Sequence, residues 1–188
     1  MVDELAELAG QDPLDYRIKL MSESPRHRAV LEQVAKQGGW GSTLPEGHGR
    51  GLAINDWFPL EEAVTVVAQM VEVSVSKRGK LKVHRVDCVI DCGFVVNPDS
   101  VKAQIEGSII MGMSAALFEQ ITLEDGRVAQ SNFDDYRIAR MRDTPEINVS
   151  IVKSDSAPTG SGEPGTSPIV PAITNAIFAA TGKRIRRL

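Results

Sequence analysis

The sequence predicts an α+β fold, an antiparallel or mixed sheet with helices packed on one side of it. Three observations carry this. Residues 63–91 hold two β-branched runs joined by a tight turn. The stretches 101–120 and 167–181 carry apolar residues at helical spacing, and residues 3–37 show repeated helix-start signals. The chain has 188 residues, 42% of them apolar, enough to bury a sizeable core. No internal repeat and no low-complexity segment interrupts the order.

Residues 3–37 read as three helical pieces. Val2, Leu5, Ala6 and Leu8 support a short first helix that Gly10 ends. Asp12-Pro13 starts a second, with the aspartate as N-cap and proline at the first helical position, and Leu14, Ile18 and Met21 share one side. Ser24-Pro25 repeats the signal ahead of Val30, Leu31 and Val34. Three surface helices covering a sheet are expected. The glycine-dense stretch from Gly38 to Gly51 reads as a flexible connector and divides the chain into 1–50 and 51–188. Gly47-His-Gly-Arg-Gly51 lacks the lysine and following helix of a P-loop, so His48 reads as a loop residue.

A first strand is expected from Leu52. In the next, Val71, Val73 and Val75 alternate with Glu72, Ser74 and Ser76, as in a strand with one face in the core and one in water. Lys77–Lys80 is a hairpin turn, and the return strand runs from Leu81 to about Asp91. Its inward parity changes between Val83 and Val86, which predicts a bulge. Cys88 and Cys92 would lie about 13 Å apart along one strand, at roughly 3.3 Å per residue, too far for a disulfide. They read as buried structural thiols and are a poor metal site, so no metal ligand is expected from this chain.

Asp99 or Ser100 is expected to cap a helix from Val101 to about Gln120, with Ile105, Ile109, Met113, Ala116 and Leu117 on its apolar face. Gly107 and Gly112 lie inside it, each at a cost of roughly 1 kcal/mol relative to alanine. Tight packing on the sheet accounts for Gly112. Glu124–Arg127 is a second hairpin turn. Asp134 and Asp135, in the mixed stretch Asn132–Ile138, read as solvated loop charges, and Ile147, Val149 and Ile151 form the last strand.

The chemistry concentrates in the last thirty residues. Thr159–Gly165 is a glycine-rich loop presenting Glu163, the only acid between Ser156 and the C-terminus. Gly160, Gly162 and Gly165 are expected to supply backbone freedom at positive φ, while Pro164 fixes the residue after Glu163. A carboxylate in so crowded and poorly hydrated a loop would have its pKa raised toward a useful general-base value. Glu-Pro-Gly is also a common turn sequence. A helix follows from Ser167 or Pro168, with Pro171 in its first turn and Ile173, Ile177 and Ala180 on one face. Gly182 ends it, and Lys183 and Arg184 complement its C-terminal dipole. The net charge of −4 argues against a nucleic-acid partner, and Lys183–Arg187 reads as a helix-end cluster.

Gly162-Glu-Pro-Gly-Thr-Ser-Pro168, with the run from Pro171 to Leu188, closely resembles the C-terminal end of molybdenum-hydroxylase large subunits. These are the molybdopterin-binding subunits of the xanthine oxidase family. The nearest type is the isoquinoline 1-oxidoreductase β-subunit, with related membrane-associated aldehyde dehydrogenases. Gln104-Ile-Glu-Gly107 and the Asp12-Pro-Leu-Asp-Tyr-Arg17 region resemble the family too, whereas Trp57-Phe-Pro-Leu-Glu-Glu62 departs from it.

The resemblance implies that Glu163 is the active-site base and that Gln104 reaches the pterin, with Gly107 and Gly162 in the same cofactor-binding set. Phe133, Tyr136 and Arg137 become candidates for shaping a substrate pocket. The implied reaction hydroxylates an N-heterocycle or oxidises an aldehyde, with water as oxygen source and molybdenum carried by molybdopterin in its cytosine dinucleotide form. Electrons would pass to 2Fe–2S clusters on a separate small iron–sulfur subunit, since two spaced cysteines cannot ligate one here. The resembling subunits are several times longer. This chain is therefore expected to be their C-terminal part, to need the remainder of the large subunit, and to be inactive alone. A non-catalytic α+β scaffold or interaction module, keeping the fold without cofactor, is the alternative. With no signal peptide and no apolar run long enough for a bilayer, the chain is expected to be soluble as written, in a cytoplasmic or a periplasmic, membrane-associated complex.

Overall fold

The computed structural model describes residues 1–60 and 63–187. The Trp57–Glu62 departure falls partly on residues 61 and 62, outside the described residues. Three helices open the chain: α1 (Val2–Leu8), α2 (Pro13–Leu20) and α3 (Pro25–Gly38). Asp12 caps α2 as expected, its Oδ1 accepting from the N–H groups of Leu14 (2.8 Å) and Asp15 (3.2 Å). Gly39 ends α3 in the left-handed region at φ 69°, where the Trp40 N–H turns back to the Ala35 carbonyl at 2.8 Å.

Three long strands follow, β1 (His48–Leu60), β2 (Ala63–Val75) and β3 (Leu81–Asp91). Then come α4 (Pro98–Leu117), the short hairpin of β4 (Leu123–Glu124) and β5 (Arg127–Val128), β6 (Glu146–Ile151) and α5 (Thr166–Thr181). The main sheet has the order β1-β2-β3-β6, antiparallel except for the parallel pair of β3 with β6. A parallel neighbour needs a crossover, and α4 supplies it. The mixed sheet expected from the sequence is therefore present. So is the bulge: Glu72 pairs with Arg85 and Val73 with Val83, leaving His84 as the extra residue.

Helices cover both faces of the sheet, not one. The reason lies in β2. Its odd-numbered Val67, Val71 and Val73 pack with Ile105, Ile109 and Met113 of α4 and Ile169 and Ile173 of α5. Its even-numbered Val66, Ala68 and Met70 pack with Val30, Leu31 and Val34 of α3. Each of these valines and isoleucines is fully buried, which stabilises the fold by about 1.5–3 kcal/mol apiece. The alternation with water holds only where Glu72 and Ser74 emerge at the far end of the strand. Alternation in a window of valines therefore described the end of β2 and not its middle.

The glycine-dense run at the start of β1 is no flexible connector. A side chain at Gly51 would lie 2.8 Å from the backbone of Asn175, and one at Gly49 would lie 3.0 Å from that of Ala179. The two glycines share one face of β1 and let α5 lie directly on the strand. His48 is the first residue of that strand. Its Nδ1 sits 3.2 Å from Glu72 Oε1, and its ring stacks on His84 with centroids 4.8 Å apart. The basic end of the chain closes the circuit: Arg184 pairs with Glu7 at 3.0 Å and Arg186 with Glu4 at 2.6 Å, tying the C-terminal tail to α1.

Candidate functional site

The loop that carries Glu163 leaves β6 and runs along the end of β3. The Phe94 N–H donates to the Ser156 carbonyl and the Thr159 N–H to the Cys92 carbonyl, both at 2.9 Å. Beneath it stand two polar side chains of β2. Thr65 Oγ1 donates to the Gly160 carbonyl at 2.7 Å and accepts from Thr159 Oγ1 at 2.6 Å. Gln69 Nε2 donates to the Gly165 carbonyl at 2.8 Å. Both residues are fully buried. Sequence reasoning passed over them, although each interrupts an otherwise apolar strand face, the one signal that could have found them.

Between those two anchor points the chain presents Glu163 to solvent, with Pro164 and Gly165 buried behind it. The Thr166 N–H donates to the Glu163 carbonyl at 2.9 Å and closes the turn into α5. The crowded, poorly hydrated setting expected for this carboxylate is not made by this chain, because nothing among the described residues folds over the loop tip. Nor do Gly160, Gly162 and Gly165 adopt positive φ. Gly165, at φ −70°, is required by contact: an added Cβ would lie 3.1 Å from the Ile105 carbonyl oxygen and 3.3 Å from Ile109 Cγ1, with Ser108 Oγ nearer still. Pro171 falls inside α5, beyond its first turn, since the helix begins at Thr166.

That contact brings the loop onto α4. Thr166 Oγ1 also donates to the Ser108 carbonyl at 3.3 Å. Asn97, not Asp99 or Ser100, caps α4, accepting from the N–H groups of Asp99 (3.1 Å) and Ser100 (3.2 Å), with Pro98 at the first helical position. The pattern is the one Asp12-Pro13 uses, and reading it the same way would have found it. On this helix Ile105, Ser108, Ile109 and Gly112 face inward, while Gln104, Gly107 and Met111 are exposed, Met111 at 68%. Gln104 and Gly107 thus stand on the turn of α4 against which the Glu163 loop docks. An added Cβ at Gly107 or Gly162 would meet nothing within 4 Å.

Phe133, Tyr136 and Arg137 lie apart from this cluster, in a segment of turns and bends. Asp135 accepts from the N–H groups of Ser131 and Asn132, each at 2.9 Å, and these bonds hold its carboxyl below the usual range. Phe133 is 77% exposed, Tyr136 donates its hydroxyl to Glu119 Oε2 at 2.7 Å, and Arg137 lies over Phe118 at 4.6 Å. Cys88 and Cys92 are free and buried as expected, and burial pushes the Cys88 thiol up to about 12. At the end of β3, burial acts to raise the Asp91 pKa, but hydrogen bonds from Arg26 (2.8 Å) and the Gly93 N–H (3.1 Å) outweigh it and hold the carboxyl below its ordinary value.

Comparison with known proteins agrees with this architecture. A family model described as molybdopterin cofactor-binding domain matches residues 3–145. The chain is 38% identical to the beta chain of isoquinoline 1-oxidoreductase from Brevundimonas diminuta, across the whole of this chain and 24% of that protein. It is 32% identical to the membrane-bound aldehyde dehydrogenase (pyrroloquinoline-quinone) of Gluconacetobacter polyoxogenes, again across its whole length and over 26% of the relative. It therefore spans about a quarter of the length of these curated relatives. An aldehyde oxidoreductase from Desulfovibrio desulfuricans superposes with a TM-score of 0.58 at 29% identity, over 68% of this chain and 14% of that one. The Desulfovibrio gigas aldehyde oxidoreductase superposes over all of this chain and 38% of its own, with a TM-score of 0.74; at 15% identity it speaks for the fold alone. With a family model over most of its length and a fold shared with these enzymes, the chain belongs to the molybdopterin cofactor-binding domain family.

Proposed function

We propose that this chain is the C-terminal part of a molybdenum hydroxylase large subunit, in which Glu163 is the general base and Gln104 a contact to the pterin. One observation carries the reading. The loop ahead of α5 presents an exposed carboxylate beside the turn of α4 where Gln104 and Gly107 are uncovered. An exposed glycine in a helix interior with no packing reason is a stability cost of about 1 kcal/mol relative to alanine. Clearance for a flat group laid against α4 gives it a reason. The residues present fit such a group: Gln104 offers both donors and an acceptor to a heteroaromatic edge, and Gly107 and Gly162 leave its approach open. Through Gln104, Gly107 and Gly162 this chain would contribute hydrogen bonds and clearance.

When bound, the molybdenum cofactor supplies the two-electron chemistry. Glu163 accepts, at a carboxylate oxygen, the proton that water must lose to become the attacking oxygen. The substrate would be an N-heterocycle or an aldehyde. The remainder of the large subunit would close over the loop tip and exclude water, giving Glu163 the poorly hydrated setting this chain alone does not provide. Residues 51–188 would form the cofactor-binding unit and residues 1–50 the helical segment covering it. The cofactor would be the cytosine dinucleotide form, and a small iron–sulfur subunit would take the electrons.

The test uses the complete subunit with its partner. Stoichiometric molybdenum and pterin, and product oxygen drawn from isotopically labelled water, are expected. Absence of both metal and pterin from a well-folded complex would leave the scaffold reading in its place. The isolated chain should turn over neither substrate class.

A further inference from the structure

The side of β2 that faces α4 and α5 is apolar at Val67, Val71 and Val73 and polar at Thr65 and Gln69. A buried hydroxyl and a buried amide in this setting lose their water, so they persist only where bonded partners repay that loss. Their backbones need no such help, since residues 65 and 69 are already paired with β1 on one side and residue 69 with β3 on the other. The oxygen partners of both side chains lie in one segment: Thr65 reaches Thr159 and Gly160, and Gln69 reaches Gly165. Glu163 lies between those contacts.

We infer that Thr65 and Gln69 are paired positioning residues that set where Glu163 stands. The inference rests on Glu163 being the base. Four residue steps of β2, a strand with a neighbour on each side, separate the two anchors, about 13 Å at 3.3 Å per residue. Both ends of the loop are thereby referred to one buried strand of the sheet. Downstream of Glu163 the buried Pro164 and Gly165 leave the chain little play, and the Thr166 N–H bond to the Glu163 carbonyl closes the turn.

Gln69 adds an independent reason. Its Nε2 is bonded to Gly165, but its Oε1 is buried with no hydrogen-bond partner among the described residues. An apolar side chain of similar length would fill the same space and leave no orphaned oxygen. For stability alone glutamine is a poor choice here, and what it adds over methionine is the bond to the loop, beside a contact with the Cys88 thiol across the strand pair.

The test compares Thr65→Val and Gln69→Met, each close in shape to the native residue. Amide hydrogen exchange on the full chain should show Thr159 and Thr166 exchanging about ten-fold faster or more, with β2 and β3 amides unchanged. In the complete enzyme kcat should fall about 10- to 100-fold, with KM and molybdenum content held, because a misplaced base is a geometric loss. Thr65→Ser, which keeps the hydroxyl, should restore both readouts. Gln69→Met should melt no lower than the wild type. Unchanged exchange at Thr159 and Thr166 in both variants would overturn the positioning role whatever the turnover shows. Glu163→Gln separates this from the reading beneath it: full turnover in that variant defeats the base assignment, while the exchange data still decide the anchor.

Discussion

Gly107 and Gly112 lie a turn and a half apart on α4, and they belong to two faces with opposite environments. At Gly112 an added Cβ would meet the Thr166 carbonyl oxygen at 2.6 Å and Ile169 Cγ2 at 2.7 Å. At Gly107 it would meet nothing. The inner face is an ordinary helix crossing in which glycine lets α5 approach. The outer face, with Gln104, Gly107 and Met111 uncovered, is finished on one side only. The same residue type therefore serves packing on one face and leaves unused room on the other. Composition does not distinguish the two cases; contact does.

Substitutions can break that contrast. Gly112→Ala should cost the chain about 2–3 kcal/mol, read by chemical denaturation, because the nearest obstacle is backbone and cannot step aside. Gly107→Ala should instead stabilise the chain by about 0.5–1 kcal/mol, as expected for an exposed helix interior. In the complete subunit the same Gly107→Ala change should lower pterin retention, so that stability and cofactor content move in opposite directions. A loss of stability at Gly107 would mean that a packing reason for this glycine exists and would remove it from the site. Smallest of all, Gln104→Ala should leave stability within about 0.5 kcal/mol. Its effect should appear as reduced molybdenum and pterin content of the purified enzyme, with the chemical step little changed in the molecules that retain cofactor.

Much of the fold was legible because local rules and tertiary structure agree. The Asp12-Pro13 start, the left-handed stop at Gly182, the turn at Lys77–Lys80 and the parity change that becomes the His84 bulge each follow from neighbouring residues alone. What escaped depends on elements distant in sequence. Gly49 and Gly51 read as a flexible connector until α5, more than a hundred residues later, is laid on them. Thr65 and Gln69 read as ordinary strand positions until the loop that begins near Thr159 arrives above them. Of the candidate site, motif resemblance proposed Glu163, Gln104 and Gly107, but it could not indicate which residues hold the Glu163 loop in place. The crowded setting expected around Glu163 depends on neighbours that local sequence cannot supply, and none of the described residues folds over the loop tip.

The base assignment is tested most directly by Glu163→Gln in the complete enzyme, followed as single-turnover reduction of molybdenum by substrate. The amide keeps the size of the side chain but cannot accept the proton that creates the nucleophile. Reduction should slow by about 10²–10⁴-fold with molybdenum and pterin content unchanged. Reduction at the wild-type rate would make Glu163 a turn residue and contradict the account at its centre.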